Sequence, residues 1–378
     1  MSSTPIIWIG MDVHKDTVMV AVFKDGNHEA EIVKQLPNDD RKLRRFFERW
    51  SRQGEIRSCY EASGAGYVLH RSITVWGHDC EIIAPSLIPV RPGEQRKHDR
   101  RDAMQLARLY RAGELVTIRI PTAAEERVRD LVRCRQCFQR EILRSRHYVT
   151  KFLARRGFVY REGKNWTQRN WAWLRRVLRD GGLGQADRAV FGEYLALLEY
   201  KISRREDLDE QIEKLALSPL YKPAVDRLRC FRGISTIAAM TLATEIGDWR
   251  RFERPGQLMA YLGLVPSEHS SGDRERRGPI TKAGNSRCRH VLVQAAWSYR
   301  HRPTVGLELR RRQRDHPPEV IGHAWKAQHR LYKLYHRIAA KKSSNIAVVA
   351  VARELVGFLW AVMHELEIEQ TTSLSEAA

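Results

Sequence analysis

Four acidic residues stand where an α/β fold could bring them to one place. Asp12 follows the apolar run 6–9, Glu61 ends a second β-rich run, and Asp99 and Asp102 open a helical segment. Residues at i and i+3 share a helix face, so the last two carboxylates could point at one site that the other two reach from a sheet. A single acid at such a position is more typical of a turn or a helix cap. The order of all four is more specific and indicates one carboxylate cluster.

A carboxylate cluster in a basic protein is typical of a divalent metal site. Mg²⁺ prefers oxygen ligands and retains part of its water shell, and Mn²⁺ accepts the same donors. Two such ions about 3.5–4 Å apart can hold the attacking and leaving oxygens of a phosphodiester. Clustered carboxylates repel one another when no cation lies between them. The sequence therefore predicts a site for Mg²⁺ (or Mn²⁺) and phosphodiester chemistry at this cluster.

The charge balance points to the same class of partner. The chain of 378 residues has 66 Lys and Arg against 45 Asp and Glu, a formal net charge of +21. So large an excess destabilises a compact chain unless a polyanion offsets it, and nucleic acid is the usual polyanion. An anionic membrane surface and simple solubility are the alternatives. The length suits two or three domains rather than one core.

Cysteine use and hydropathy favour a cytoplasmic protein without a membrane segment. The six cysteines are scattered, which suits a reducing compartment. Cys134 and Cys137 form a lone C-x-x-C with no second pair at zinc spacing, so we predict two small residues packed within a helix rather than a metal site. The start of the chain has no signal-peptide pattern. The apolar stretch 346–363 is broken by Arg353 and Glu354, which indicates a buried helix.

The first hundred residues alternate between strand and helix patterns. The order fits an α/β layer fold. The predicted strands are 6–9, 18–23, 57–61 and 80–83, and the predicted helices are 40–50 and 67–76.

The middle of the chain is predicted to be two long helices. Thr122 and Glu125 form a capping box, and apolar residues then recur at helical spacing until Gly157. A second such run spans 191–215, so the pair is predicted to form an antiparallel arm or coiled coil. The segment 164–176 between them is rich in Trp and Arg. Its tryptophans could stack on bases or could pack the arm, and the pattern does not decide between the two.

The last third is predicted to be mainly helical. Residues 231–235 followed by an Ala- and Thr-rich run resemble a helix-hairpin-helix, which grips a nucleic-acid backbone through amides at a helix start. A polar loop spans 267–284, and two helices are predicted between 321 and 366. The predicted domains are an α/β domain at 1–120, the arm at 121–225, a C-terminal domain at 226–368 and a disordered tail at 369–378.

Taken in order, short motifs along nearly the whole chain resemble the DEDD-type bacterial insertion-sequence transposases of the insertion-sequence-110 family. Their order and spacing make a chance likeness improbable. The motifs are Gly10-Met11-Asp12-Val13-His14-Lys15, Tyr60-Glu61-Ala62, Asp99-Arg100-Arg101-Asp102-Ala103, Ser270-Ser271-Gly272, Ala324-Trp325-Lys326-Ala327-Gln328, and segments at 84–89, 231–234, 258–268 and 280–285.

The resemblance implies a fold and a mechanism. The fold is an RNase H-like (RuvC-like) N-terminal domain, a coiled-coil arm and a mainly α C-terminal transposase domain. Asp12, Glu61, Asp99 and Asp102 would be the metal ligands, and Ser271 would attack a DNA phosphate to form a covalent phosphoserine link. The family also implies donor and target DNA, a structured guide RNA from the element itself, and a homo-oligomer, a dimer or tetramer, in which one subunit's metal domain meets another's serine.

The predicted serine needs help that its neighbours could supply. A serine hydroxyl is a weak nucleophile, and no His/Asp pair is placed for a triad. Without the resemblance, Ser271 is an ordinary turn residue before glycine, and the adjacent Ser270 remains an alternative. Nearby cations could hold the phosphate. The predicted nucleic-acid ligands are Arg232, Arg274, Arg276, Arg277, Lys282, Arg287 and Arg289.

Three other functions fit part of the pattern. A RuvC-like nuclease or junction resolvase explains the acids and the charge but gives Ser271 no role. An actin-like or sugar-kinase ATPase shares the core fold and needs glycine-rich phosphate loops, for which Gly64 and Gly66 are a weak hint. A catalytically inactive nucleic-acid-binding protein is the third alternative. Because all four acids and the serine are present, only a measurement of activity distinguishes it from an enzyme.

Overall fold

The chain divides into two compact units that are described separately. A computed structural model describes residues 4–89, 98–268 and 277–376. The units are Met1–Pro121 and Thr122–Ala378. The division lies within one or two residues of the end predicted for the α/β domain.

The first unit is a layer of strands with helices on both faces. Its order follows the predicted alternation and adds one strand, β3. The elements are β1 (Ile6–Val13), β2 (Thr17–Lys24), β3 (Ile32–Pro37), α1 (Asp40–Ser51), β4 (Glu55–Glu61), α2 (Val68–Val75), β5 (Asp79–Ile83), a 3-10 turn (Pro85–Leu87) and α3 (Asp99–Arg111).

The five strands form one mixed sheet in the order β3-β2-β1-β4-β5. The first three strands run antiparallel as a meander, and β4 and β5 lie parallel to β1. This arrangement confirms the α/β prediction for the front of the chain and is compatible with an RNase H-like transposase domain.

Strand β1 presents a different set of side chains to each face of the sheet. Ile7, Ile9 and Met11 are buried in the cluster that includes residues of α1 and α2. The alternate residues face α3, where Trp8 packs with Ala103. Because side chains alternate along a strand, Gly10 and Asp12 share the α3 face.

Among the described residues the second unit is mainly helical, as predicted, with one short hairpin where the sequence predicts a polar loop. Its described elements are α4 (Ala123–Ala154), α5 (Gln168–Asp180), α6 (Gln185–Ala216), α7 (Lys222–Arg229), α8 (Thr236–Ile246), α9 (Pro255–Tyr261), β6 (Pro266–Glu268), β7 (Arg277–Ile280), α10 (Ser286–Ala296), a 3-10 turn (Trp297–Arg300), α11 (Leu307–Gln313), α12 (Pro318–Ala339) and α13 (Ser344–Glu376).

The two 32-residue helices α4 and α6 run antiparallel. The predicted capping box is present at the start of α4, where the side chain of Thr122 accepts from the amide of Glu125. Near that end, Arg135 Nε lies 2.6 Å from Asp209 Oδ1, and at the far end Arg156 pairs with Asp187. The contacts give an antiparallel pair of helices, and a coiled-coil geometry stays a prediction.

The tryptophans between these helices pack at the far end of the pair. Trp166, Trp171 and Trp173 are partly buried against a cluster that includes Phe152 and Phe191. Of the two interpretations left open by the sequence, these contacts favour packing of the arm. The C-x-x-C cysteines on α4 are both exposed and free, so their predicted role in packing is wrong.

The predicted helix-hairpin-helix corresponds to α7, a tight turn and α8. Gly233 has φ 84°, a conformation that favours glycine, and a Cβ there would lie 2.6 Å from the carbonyl oxygen of Ala295. Ser235 caps α8 by accepting from the amide of Ala238.

The last helix, α13, forms the centre of the second unit. Its segment Ser344–Leu366 is long and apolar enough to cross a membrane, with half of its most apolar window buried against the protein. It packs on α12, α10, α9 and α7, as a core helix does. The helix continues to Glu376, although the sequence analysis predicts a disordered tail from Glu369. No Gly or Pro follows Gly357, so no helix breaker stops it.

Candidate active site

A close approach between β1 and α3 positions the candidate site. A Cβ on Gly10 would lie 2.2 Å from the carbonyl oxygen of Ala103 and 2.4 Å from the amide nitrogen of Ala107. Only a residue without a side chain allows the α3 backbone to come so near the strand. The start of α3, with Asp99, is thereby held near Asp12, two residues beyond Gly10 on the same face.

Asp12, His14 and Asp99 form a group of three possible metal ligands. Their ligand atoms all lie within 4.8 Å of one another. His14 Nε2 lies 3.2 Å from Asp12 Oδ2 and 3.6 Å from Asp99 Oδ2. The structure therefore brings together two of the four predicted acids and adds a histidine between them.

His14 belongs to the first quoted motif but is absent from the predicted ligands. It follows β1 in a tight turn, where its amide donates to the carbonyl of Thr17 at 2.9 Å. The side chain of Asn38 fixes this turn by donating to the carbonyls of His14 at 2.9 Å and Lys15 at 3.3 Å. The strand-turn position next to Asp12 is the sequence signal that identifies His14 as a candidate ligand.

Glu61 and Asp102 lie near this group without joining it. Glu61 is one residue beyond the last parallel pair of β1 and β4, Met11 with Tyr60, so it lies level with Asp12 in the sheet. Its neighbour at i−2, Cys59, contacts α3, and alternation places Glu61 on that face too. Asp102 is in the first turn of α3. Within the described residues, neither belongs to the three-ligand group.

The donor set fits a divalent cation. Oδ2 of Asp12 is buried and accepts no hydrogen bond from the described residues, although His14 Nε2 lies 3.2 Å from it. A buried carboxylate oxygen without a donor is unfavourable unless a cation supplies the missing interaction. Asp99 is half exposed, so the group is open to solvent on one side. Two carboxylates and an imidazole could hold Mn²⁺ or Mg²⁺ with waters completing the shell.

The segment that contains the predicted nucleophile connects β6 and β7. These strands pair antiparallel, with Pro266 opposite Ile280. Ser270, Ser271, Arg274 and Arg276 lie outside the described residues, and of Arg277 only the backbone in β7 is described.

Comparison with known proteins decides the family. Residues 9–156 match a family described as Transposase, the DEDD domain of IS110 transposases, and residues 225–308 match the Transposase IS116/IS110/IS902 family. "Putative transposase y4qE" of Sinorhizobium fredii is 39% identical over 369 residues, covering 97% of this chain and 90% of that protein. The chain belongs to the IS110/IS116/IS902 transposase family.

More distant relatives agree over most of their length. The transposase for insertion sequence element IS1533 of Leptospira borgpetersenii is 28% identical and covers 89% of this chain and 97% of that protein. The transposase for insertion sequence element IS1328 of Yersinia enterocolitica is 25% identical and covers 89% and 94%. The predicted family is confirmed. This transposase acts on DNA, which it cuts and rejoins, and its DEDD domain implies dependence on a divalent metal.

The predicted nucleic-acid ligands of the transposase differ in their surroundings. Lys282 is exposed, with φ 56°. Arg232 donates to the carbonyl of Arg302 at 2.9 Å. Arg289 donates to the carbonyls of Leu262 at 2.8 Å and Ala283 at 3.0 Å, and burial lowers its pKa. Arg289 therefore has backbone partners inside the unit, while Lys282 is open to a phosphate.

Arg287 belongs to a buried ionic network that joins three helices. Glu245 on α8 is buried and accepts from Arg133 of α4 at 2.7 and 2.8 Å and from Asn285, the cap of α10, at 2.8 Å. Arg287 Nε lies 3.5 Å from the same carboxylate. Burial alone would raise the pKa of Glu245, but the hydrogen bonds from Arg133 and Asn285 and the charge of Arg287 outweigh it, so the pKa is lowered.

Proposed function

We propose that this transposase cuts and rejoins DNA with a Mg²⁺ site and a serine nucleophile, guided by a structured RNA from its own element. The observation that carries the proposal is the approach of Asp12, His14 and Asp99 within a DEDD family domain. Glu61, on the same face of the sheet, and Asp102, on α3, would complete the ligand set. Mg²⁺ bound there would stabilise negative charge on the phosphate oxygens.

The proposed covalent step exchanges one phosphate ester for another. Oγ of Ser271 attacks a DNA phosphorus, an Oγ–P bond forms, and the P–O bond to one DNA strand breaks. The serine proton ends on the hydroxyl of the released strand. Because a phosphoserine ester replaces a phosphodiester, the bond energy is retained for rejoining to a second strand. Asp12, Asp99 and His14 between them would hold the cation that supplies this charge stabilisation.

The proposal also covers the fold of the transposase, its partners and its location in the cell. The sheet order supports an RNase H-like fold for the first unit, and the antiparallel α4 and α6 support a coiled-coil arm. The excess positive charge supports binding of RNA as well as DNA. We place the reaction at the bacterial nucleoid, with two or four subunits acting together. If transposase purified free of RNA still recombined DNA normally, the proposal of a guide RNA would be contradicted.

A recombination assay in cells tests the mechanism. The gene and its native flanking DNA are paired with a circular-junction donor and a target plasmid. Asp12→Asn, Asp99→Asn, Asp102→Asn and Ser271→Ala are each expected to lose at least 10²-fold in joined product, because each removes a proposed ligand or the nucleophile. Asp130→Asn and Ser203→Ala, exposed changes on α4 and α6, serve as matched controls and are expected to recombine normally.

The alternative is a metal-only nuclease, favoured by one observation: all three grouped ligands lie in the first unit. Denaturing gels of the protein with end-labelled DNA separate the two mechanisms. A covalent protein–DNA band that disappears in Ser271→Ala supports the phosphoserine. Full recombination by Ser271→Ala with no such band would reject it, and the Ser270→Ala variant then decides whether the neighbouring serine is used.

A further inference from the structure

Helix α12 exposes an aromatic and basic face that the proposed chemistry does not use. Its buried face is made of small and aliphatic residues such as Ala324, Ala327 and Leu331. On the outer side, an aromatic residue, a histidine and two cations recur every four residues, and a stripe of this spacing runs about 18 Å along a helix. The four are Trp325, His329, Lys333 and Arg337.

Trp325 is the aromatic end of this stripe. Its side chain is 41% exposed, although its size favours burial. Its one ring contact among the described residues is edge-on, with His329, at 4.5 Å between centroids and 80° between planes. The contact with His329 is T-shaped and a large part of the indole stays exposed, so Trp325 offers a rigid aromatic surface to another ring.

The charge along the stripe is largely uncompensated. Arg330 Nε lies 2.7 Å from Glu354, so this arginine is neutralised. Within the described parts of the chain, the side chains of Lys326, Lys333 and Arg337 take part in no ion pair. Glu354, the acid that lines the same concavity, is already paired with Arg330. Unpaired cations near an exposed aromatic residue match the phosphates and bases of nucleic acid.

Two concavities make the face continuous with the hairpin of β6 and β7. The first, about 670 Å³, is lined by the α12 stripe together with Lys326, Arg330 and Glu354. The second, about 860 Å³, shares Arg337 with it. The second adds Lys341, Lys342 and Arg353 around an apolar floor that includes Pro266 of β6 and Ile280 of β7. The basic surface thus extends to the strands that flank the serine segment.

The exposed indole favours single-stranded over double-stranded nucleic acid. Paired bases are stacked on their neighbours and cannot present a ring face to Trp325, whereas an unpaired base can. The helical stripe also tracks a single backbone, since its cations lie in one row. We propose that this face binds an unpaired strand of nucleic acid, with one base stacked on Trp325 and its phosphates along Lys333, Arg337, Lys341 and Lys342.

The inference rests on the proposed function. It adds the surface along which an unpaired strand would lie. It assigns Trp325 a role in holding the strand, because the indole would contact a base rather than the phosphate that reacts. The probes are labelled oligodeoxythymidine and oligouridine of twelve nucleotides and a twelve-pair DNA duplex. Binding is measured by fluorescence anisotropy with the full-length Asp12→Asn transposase, whose surface on α12 is unaltered.

Trp325→Ala is expected to weaken single-strand binding by about 5- to 150-fold, the equivalent of about 1–3 kcal/mol for one stacked base. Trp325→Phe is expected to restore most of it, and duplex binding is expected to stay unchanged. Lys333→Gln and Arg337→Gln are each expected to lower the salt slope of single-strand binding by about 0.7. Tyr200→Ala and Lys214→Gln on α6 are the matched controls.

The probes distinguish a DNA strand from the guide RNA as the ligand. They also distinguish a failure of this inference from a failure of the proposed function. Stronger loss with oligodeoxythymidine assigns a DNA strand, and stronger loss with oligouridine assigns the guide. The inference would be overturned if Trp325→Ala lost as much affinity for the duplex as for the single strands, or lost affinity for no probe. It would also be overturned if light scattering showed a change in oligomeric state as the only effect. Recombination by the wild-type transposase is scored separately. If binding depends on Trp325 while the wild type fails to recombine, the proposed function is rejected and the binding surface is retained.

Discussion

At the scale of single residues, His14 tests whether the grouped side chains form a metal site. His14 Nε2 lies within 3.6 Å of both Asp12 and Asp99. We expect His14→Ala to weaken Mn²⁺ binding by about 10-fold, the effect of losing a ligand or its immediate partner, and Asp12→Asn to weaken it more. Isothermal titration of the full chain with Mn²⁺ measures both.

The control for this prediction is His28→Ala. His28 is exposed, and among the described residues its side chain takes part in no hydrogen bond, ion pair or ring contact, so its loss removes a histidine without touching the group. Equal Mn²⁺ affinity in His14→Ala and His28→Ala would place His14 outside the site. Tighter binding would show that the imidazole competes with the metal for the carboxylates.

Gly10 is the residue on which the site geometry depends. Its replacement by alanine puts a methyl group against two backbone atoms of α3, so the helix has to move away from β1. We expect Gly10→Ala to destabilise the first unit by about 1–3 kcal/mol and to weaken Mn²⁺ binding, because Asp99 moves with the helix.

Thermal unfolding and Mn²⁺ titration check the Gly10 prediction together. Gly64→Ala is the matched control, since a Cβ there meets no atom within 4 Å. A Gly10→Ala variant as stable as the control would mean that the helix and strand are less closely packed than the structure shows.

The sequence predicted part of the site and missed part for identifiable reasons. The approach of Asp12 and Asp99 was predictable, because apolar patterning indicates the strand end and the helix start on which they lie. His14 is absent from the predicted ligands because a histidine after a strand is more often an ordinary turn residue, so its position beside Asp12 marks a candidate without assigning it a role. Arg289 is predicted as a phosphate ligand from its charge, and that role stays a prediction, because the sequence shows charge but not partners. Its partners, the carbonyls of Leu262 and Ala283, become visible only in three dimensions.

At the scale of elements, Glu245 ties α4, α8 and α10 together. We expect Glu245→Gln to destabilise the second unit by about 2–3 kcal/mol at neutral pH, because it removes the charge that faces Arg133 and Arg287. Chemical denaturation of the full chain measures the change, and Glu193→Gln, an exposed change on α6, is the control.

The pH dependence of this difference has a definite sign. The pKa of Glu245 is lowered in the folded state, while an unfolded glutamate titrates near about 4.3. The ion pair therefore contributes fully above that value, and its contribution is lost as the pH falls through the folded pKa. The stability gap between wild type and Glu245→Gln should stay constant from pH 7 to about pH 5 and should narrow as the pH falls below about 4.3. A gap that does not narrow in this acid range would show that the ionic network is not its cause.

Regular elements followed from the sequence better than irregular ones. Strand β1 and helix α4 carry strong apolar periodicity, and α4 also has its capping box, so both were predicted. Strand β3 was missed because Ile32–Pro37 lies at the sheet edge and is mostly exposed, which weakens its alternation. The helical state of the last residues of α13 was missed because a polar tail resembles a disordered one.

At the scale of the whole molecule, the family assignment and the charge lead to the same partner. The order of short motifs predicted the transposase family, and the comparisons confirm it. Composition alone could not identify a transposase, because any nucleic-acid-binding protein can carry excess Lys and Arg. Much of that excess must be matched by phosphate when the protein works, since the acids are too few to pair with it.

This imbalance predicts a steep dependence of DNA binding on salt. A net charge of +21 allows several phosphate contacts at once, and each contact releases counterions from the DNA. With about 6–10 such contacts, affinity for duplex DNA from the native ends should fall by about 10³- to 10⁵-fold between about 50 and 200 mM salt. Filter binding with the Asp12→Asn transposase measures it without cleavage, and sucrose at equal osmolarity is the control. Binding that is insensitive to salt would mean that the excess charge faces something other than the DNA backbone.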